Sequence, residues 1–219
     1  MNRDTQGLLV LLTGAALVRI GADDTLLRYV RAWMRPGLLA AGVVLVLLGL
    51  VSLRQDRHGH AGGPWSAWLL LLPVLAIVVV APPALGAYTA GRAVTTVARP
   101  ASTDFPPLAH GDPVGITLTD FAMRAVWDRG RTLAGRRVRM VGFVSPRSGG
   151  GFHLTRIAVT CCAADARAIR VAVPGGRSFP ADSWVAVTGT YAGLEAHAVP
   201  VLRAGSAEPV PAPAEPYEP

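Results

Sequence analysis

Cys161 and Cys162 stand side by side and are the only thiols in the chain. Asp165 follows three residues later, and His153 lies on the apolar run that leads into the pair. Thiolate, imidazole and carboxylate are the donors that hold zinc or another transition metal, so Cys161, Cys162, Asp165 and His153 form one candidate site. Neighbouring residues of an extended strand point to opposite faces, so both sulfurs reach a single ion only where the backbone turns. Two plainer readings stand beside the metal. Free cysteines are often small buried residues, and an Asp after Ala163-Ala164 caps a turn through its side chain. A third reading is a reactive thiol, which needs an accessible, electropositive setting that Arg156 and Arg167 would supply. A disulfide between the neighbours would be strained, because bridged Cα atoms usually lie ~5.5 Å apart and adjacent ones about 3.8 Å.

The elements that must position these groups follow from periodicity. Five strand-like runs, residues 137–144, 152–160, 168–173, 183–191 and 196–202, are separated by turn signals at 148–151, 174–176 and Ala192-Gly193. On the first, Val138, Met140, Gly142 and Val144 alternate with Arg137, Arg139, Val141 and Phe143. Five short, closely linked strands predict a small β-barrel of the OB type, with a sandwich as the alternative. One helix precedes it over 117–129, with Thr117 or Thr119 as cap and Leu118, Phe121, Ala122, Ala125 and Val126 on one face. The expected organisation is a transmembrane region over 1–90, a Pro-rich linker over 91–116, a soluble β domain over 117–205 and a disordered tail over 206–219.

The excess behind an overall apolar content of 51% lies in the first 90 residues. Three apolar runs, 7–20, 37–53 and 65–88, predict about three transmembrane helices and a multi-pass protein of the cell membrane. The first is short, and a retained helix is preferred to a cleaved signal peptide because Ile20-Gly21-Ala22 is a poor cleavage site. Residues 23–35 read as a short interfacial helix, with Tyr29 and Trp33 at the headgroup level. Gly42, Gly49 and Ala41 would let helices pack closely. The arginine distribution does not fix the side on which the β domain lies.

The net charge of +7 raises the question of nucleic acid. Residues 1–103 carry nine arginines against four acids, whereas 104–219 carry twelve against ten. The excess therefore flanks apolar runs, which suits anionic lipid better than nucleic acid. His58-Gly59-His60 reads as a solvated connector. No phosphate loop, HExxH or GxSxG occurs, and no acid/base pair of carboxylates stands out.

Gly142-Phe143, then Arg156 and Val159-Thr160-Cys161-Cys162-Ala163-Ala164-Asp165-Ala166, resembles the signature of a bacterial family of membrane permease subunits, the YcgQ type. The resemblance implies N-terminal helices, a linker and a C-terminal β domain. It further implies a partner, a separate multi-helix permease, and assigns no catalytic residue. His58 and His60 are all that stands here in place of that family's longer His-rich stretch. The chain is thus expected to be a non-enzymatic accessory subunit of a two-component permease. The alternative is a metal-binding or metal-sensing membrane module built on Cys161, Cys162 and Asp165.

Overall fold

A computed structural model of the chain describes residues 3–23, 26–27, 29–54, 86–87, 90, 97, 102, 104–175 and 177–218. The third apolar run up to residue 85, and the His58-Gly59-His60 connector, lie outside them. The chain divides into two compact units, Met1–Ala84 and Leu85–Pro219.

In the first unit α1 (Arg3–Ala22) and α2 (Arg35–Arg54) form a hairpin. Its seam is made by glycines seven residues apart on each helix: Gly7, Gly14 and Gly21 on α1, Gly42 and Gly49 on α2. A Cβ added to Gly14 would lie 2.7 Å from Val46 N and 2.8 Å from Gly42 O, and one added to Gly49 would lie 2.8 Å from Leu11 N. Backbone thus meets backbone, which only glycine permits, and the seven-residue repeat keeps each glycine on the seam. Gly42 and Gly49 pack as expected; Ala41 faces outward, one position off the seam. At the turn, Arg35 donates to Gly21 O from Nε and to Ala22 O from Nη2, both at 2.8 Å, and so satisfies carbonyls that the end of α1 leaves open.

The helix expected over 23–35 is, among the described residues, reduced to 3-10 turns at Leu26-Leu27 and over Ala32–Met34, the latter leading into α2. Arg35, the last residue of that expected helix, is committed to the hairpin turn. Ala32–Arg54 makes 23 helical residues, long and apolar enough to cross a membrane or serve as a signal sequence. The apolar part of α1, Gln6–Ala22, is shorter. Among the described residues, then, one helix meets the requirement where the sequence suggests three.

The second unit is a sheet domain with one helix, α3 (Leu118–Trp127). Its strands are β1 (Val114–Gly115), β2 (Arg137–Pro146), β3 (Phe152–Ala158), β4 (Arg167–Val173), β5 (Trp184–Glu195), β6 (Val199–Pro209) and β7 (Tyr217–Glu218). Pairings run from β2 to β3, β4, β6, β5 and back to β2, so five strands close a ring. All are antiparallel except β4–β6, a single parallel bridge at Ala172 and Val201. Inward side chains fill it: Val138, Met140 and Val144 of β2, Leu154 of β3, Ile169 and Val171 of β4, Val185 and Val187 of β5, Leu202 of β6. Leu118, Phe121, Ala122 and Ala125 of α3 join this core, as their spacing predicts, while Val126 is only half-buried.

Two differences from the sequence expectation have clear causes. Ala192-Gly193 looks like a turn, yet β5 runs on to Glu195 and the pair falls in a bulge between Tyr191 and Leu194. The reversal comes at Ala196–Ala198, where His197 and Ala198 take φ of 59° and 57°. The last ring strand therefore starts at Val199 and extends to Pro209. The tail is also ordered: Tyr217–Glu218 pairs in parallel with Ile157–Ala158 of β3. Tyr217 joins Ala87, Ala90, Phe143, Ile157, Val159 and Ala168 in a second, smaller core on the outer face of the ring. That core explains why Phe143 is buried although Arg137, Arg139 and Val141 on the same face of β2 are not.

Because Gly49 meets backbone and Gly37 meets open space, Gly49→Ala should destabilise the hairpin by about 1–3 kcal/mol through over-packing. Gly37→Ala should not destabilise it. Thermal unfolding of the two variants in detergent micelles checks the contrast.

Candidate functional site

Val159 to Ala166 connects β3 to β4, and the Cys-Cys pair lies in this connection. Its shape is set by Asp165. The carboxylate accepts from Thr160 N at 2.9 Å through Oδ1 and from Cys161 N at 2.8 Å through Oδ2. Asp165 N in turn donates to Cys162 O at 3.0 Å, closing a short 3-10 turn, Ala163–Asp165. The carboxylate thus does the turn-capping expected of it, and the backbone turns at the cysteines.

The turn brings both sulfurs to one side, 3.7 Å apart and half-exposed. Both cysteines are free thiols rather than a disulfide. The Cys161 thiol hydrogen-bonds the Asp165 carboxylate and faces the Cys162 sulfur, and these contacts push its pKa up to about 11. Asp165 is correspondingly held below the usual carboxylate value, chiefly by the Cys161 thiol and then by the Cys161 backbone N–H. A thiol beside a carboxylate is a poor nucleophile at neutral pH. Arg156, one of the two arginines considered for activating it, is engaged elsewhere.

His153 belongs to a different place. It sits near the start of β3, between Ser145 of β2 and Ala172 of β4, with Nδ1 3.1 Å from Pro146 O. Burial lowers its pKa. Five residues of extended strand, about 16 Å, separate it from the end of β3 at Ala158. Among the described residues no three His, Cys, Asp or Glu side chains gather as a metal cage. The structure therefore joins Cys161, Cys162 and Asp165 and leaves His153 apart.

The remaining signature residues have packing roles. A Cβ on Gly142 would lie 2.7 Å from Thr155 O, so β2 and β3 approach too closely there for a side chain. Phe143 meets Trp184 edge-on with centroids 5.8 Å apart. Ala164 is exposed on the turn. Arg156 is buried to 9% exposure, with its guanidinium 4.9 Å from the Trp184 ring centroid and Nε 3.5 Å from Glu218 Oε1. Its ion partner is Glu218.

Glu218, 4% exposed, is the residue that sequence reasoning missed. Its Oε1 accepts from Leu118 N at 3.0 Å, and Oε2 accepts from Thr119 N at 2.8 Å and Thr119 Oγ1 at 2.7 Å. Thr117 Oγ1 accepts from Asp120 N at 3.0 Å. Together they satisfy the N–H groups of Leu118, Thr119 and Asp120, which the first turn of α3 leaves open, and place a negative charge at its positive end. A contact across 100 residues of sequence leaves no local signal.

Asp165→Asn replaces the carboxylate whose hydrogen bond with the Cys161 thiol, and whose charge, raise the Cys161 pKa. At pH 8 a thiol of pKa ~11 is roughly 0.1% thiolate and one near 8.5 roughly a quarter. Alkylation of Cys161 at pH 8, followed by mass spectrometry in a Cys162→Ser background, should accelerate at least tenfold in the Asn variant. The pH at which its rate levels off should fall.

No curated protein and no solved structure matches the chain. Residues 115–218 match the family model of the DUF1980 C-terminal domain, so the sheet domain, with the Cys161-Cys162 turn and Glu218 inside the match, is similar to the domains of an uncharacterised family.

Proposed function

We propose that the chain is an accessory subunit of a two-component membrane permease. Its N-terminal helices are anchored in the bilayer, and its β domain serves recognition or regulation. The observation that carries this reading is the outer face of α2. Val43, Val44, Leu47, Leu48 and Val51 are about half exposed while the glycine seam is closed against α1. An apolar face of that size on a packed hairpin calls for lipid or another apolar helix. On this reading the chain crosses the membrane several times, with the apolar run 65–88 as a further crossing, and the ring of strands is an OB-type barrel. The resemblance of the Gly142 to Ala166 stretch to permease subunits supplies the partner: a separate multi-helix permease.

The test is purification from native membranes in mild detergent. The expected result is that the chain resists alkaline extraction and co-purifies with one polytopic permease in constant ratio. A chain that washes off at high pH, or that repeatedly elutes alone, overturns the proposal.

One observation favours a second reading, a site for a thiophilic ion. Two thiolates on a tetrahedral ion at about 2.3 Å each stand about 3.8 Å apart, close to the 3.7 Å between Cys161 and Cys162. Zinc or another transition metal would then displace the thiol protons, with Asp165 beside it. The raised Cys161 pKa opposes binding at neutral pH. Metal content of the full-length chain after dialysis against zinc, compared with the double variant Cys161→Ser, Cys162→Ser, decides it. Equal content in the two sinks the reading.

A further inference from the structure

β2 runs beside β3 only from Phe143–Thr155 to Pro146–Phe152, and then diverges. The edge of β3 that it abandons, Ile157 and Ala158, is taken by Tyr217 and Glu218, and Val159 N adds a bond to Glu218 O at 3.1 Å. The slot has an apolar wall of Phe143, Ile157 and Val159 against Tyr217. It also has a carboxylate socket, made by the N-terminus of α3, Thr119 Oγ1 and Arg156 over Trp184. An aromatic residue followed by a glutamate in extended form satisfies both parts. Such an arrangement is β-strand addition, with backbone pairing for affinity and side-chain pockets for specificity.

The occupant is held mainly at Tyr217 and Glu218. Val210 N still pairs with Trp184 O at 2.9 Å. Residues 211–216 lie outside helix and strand, and three of the six are prolines without an N–H. Among the described residues, the strap's hydrogen bond to the slot apart from Tyr217 and Glu218 is from Arg156 Nη2 to Glu215 O at 3.4 Å. Extended at about 3.1 Å per residue, six residues span roughly 19 Å. A released strap can therefore reach beyond its own slot, and the segment whose chemistry fits the slot of another molecule is the same segment. Exchange of an identical element between copies is a low-cost route to a dimer.

We propose that this slot is a strand-receiving site for an extended aromatic–glutamate segment, filled in cis by residues 217–218 and exchanged for the same segment of a second copy of the chain. The probe is a labelled peptide of residues 211–219, added to detergent-solubilised full-length chain or to the chain truncated after Pro216. The truncated chain should bind the peptide saturably, and the intact chain at least tenfold more weakly because its own strap competes. A peptide carrying Glu218→Gln should bind the truncated chain at least tenfold more weakly than the native peptide.

A truncated chain that keeps its thermal transition but ignores the peptide overturns the proposal, and so does equal binding of the Gln peptide. Should truncation unfold the domain, amide exchange in the intact chain decides. Val159 should exchange at least a hundredfold faster than the protected amides of the β3–β4 ladder. Equal protection means that the strap leaves only on global unfolding, and no exchange between copies can follow. For the second copy, the truncated chain is mixed with an Arg156→Ala chain, which has a strap and a damaged slot. A mixed dimer that neither forms alone supports the exchange, and its absence where the peptide saturates overturns it.

Discussion

Glu218 carries a negative charge into a place almost closed to water, and the β domain is arranged around meeting that cost. Removing water from a carboxylate costs several kcal/mol. Three hydrogen bonds to the ion contribute about 1.5–3 kcal/mol each relative to leaving it unpaired, and the α3 dipole and Arg156 add to them. The terms are of similar size, so the ion need not add much net stability. What it adds is uniqueness of arrangement. α3, β3 and the end of the chain are brought together by one side chain, and each contact is stereochemically distinct: two to backbone N–H groups, one to a hydroxyl, one to a guanidinium. Sliding β7 by one residue would put Tyr217 at the helix end and take Glu218 out of its socket.

Asp165 uses the same chemical group for a purely local task. Its acceptors are filled by N–H groups four and five residues away, and it stays near water. The turn it holds has a consequence for the thiols. By collecting the N–H groups of Thr160 and Cys161 it bends the chain so that neighbouring sulfurs face each other. By accepting the Cys161 thiol hydrogen bond, and then by its charge, it keeps Cys161 protonated. The geometry that favours a shared ligand is thus created by the group that disfavours the thiolate. Only an ion able to displace a proton from such a thiol would exploit the arrangement.

The parts of this fold that were legible in the sequence are those written at short range. β2 shows its alternation because one face looks into the ring, and α3 shows its stripe of Leu118, Phe121, Ala122 and Ala125 because that face is fully buried. The turn at Asp165 was legible because a carboxylate three to five residues from open N–H groups is a local motif. Phe143, Arg156 and Glu218 were not. Phe143 breaks the alternation because a second core covers the outside of the ring there. Arg156 finds its ion partner 62 residues away, at a strand of two residues that no periodicity test can register. The composition of the tail, rich in Pro, Ala and Glu, points to disorder because it cannot build a core of its own. It needs none, since it completes one that other elements have begun. The bulge at Ala192-Gly193 misled for a related reason: the same residue pair suits a turn or an extra residue in a strand, and only the partner strand decides.

The hairpin of α1 and α2 argues from a different constraint. In water, association of two apolar helices is driven by the faces they hide, and large residues at the seam hide most. Here the seam is glycine, and larger residues such as Leu47 and Leu48 are on the outside. That inversion makes sense where the surroundings are themselves apolar, because burying Leu then gains little and close backbone contact becomes the main source of attraction. The seven-residue spacing of Gly7, Gly14 and Gly21 against Gly42 and Gly49 is what lets the two backbones touch along the length of the hairpin.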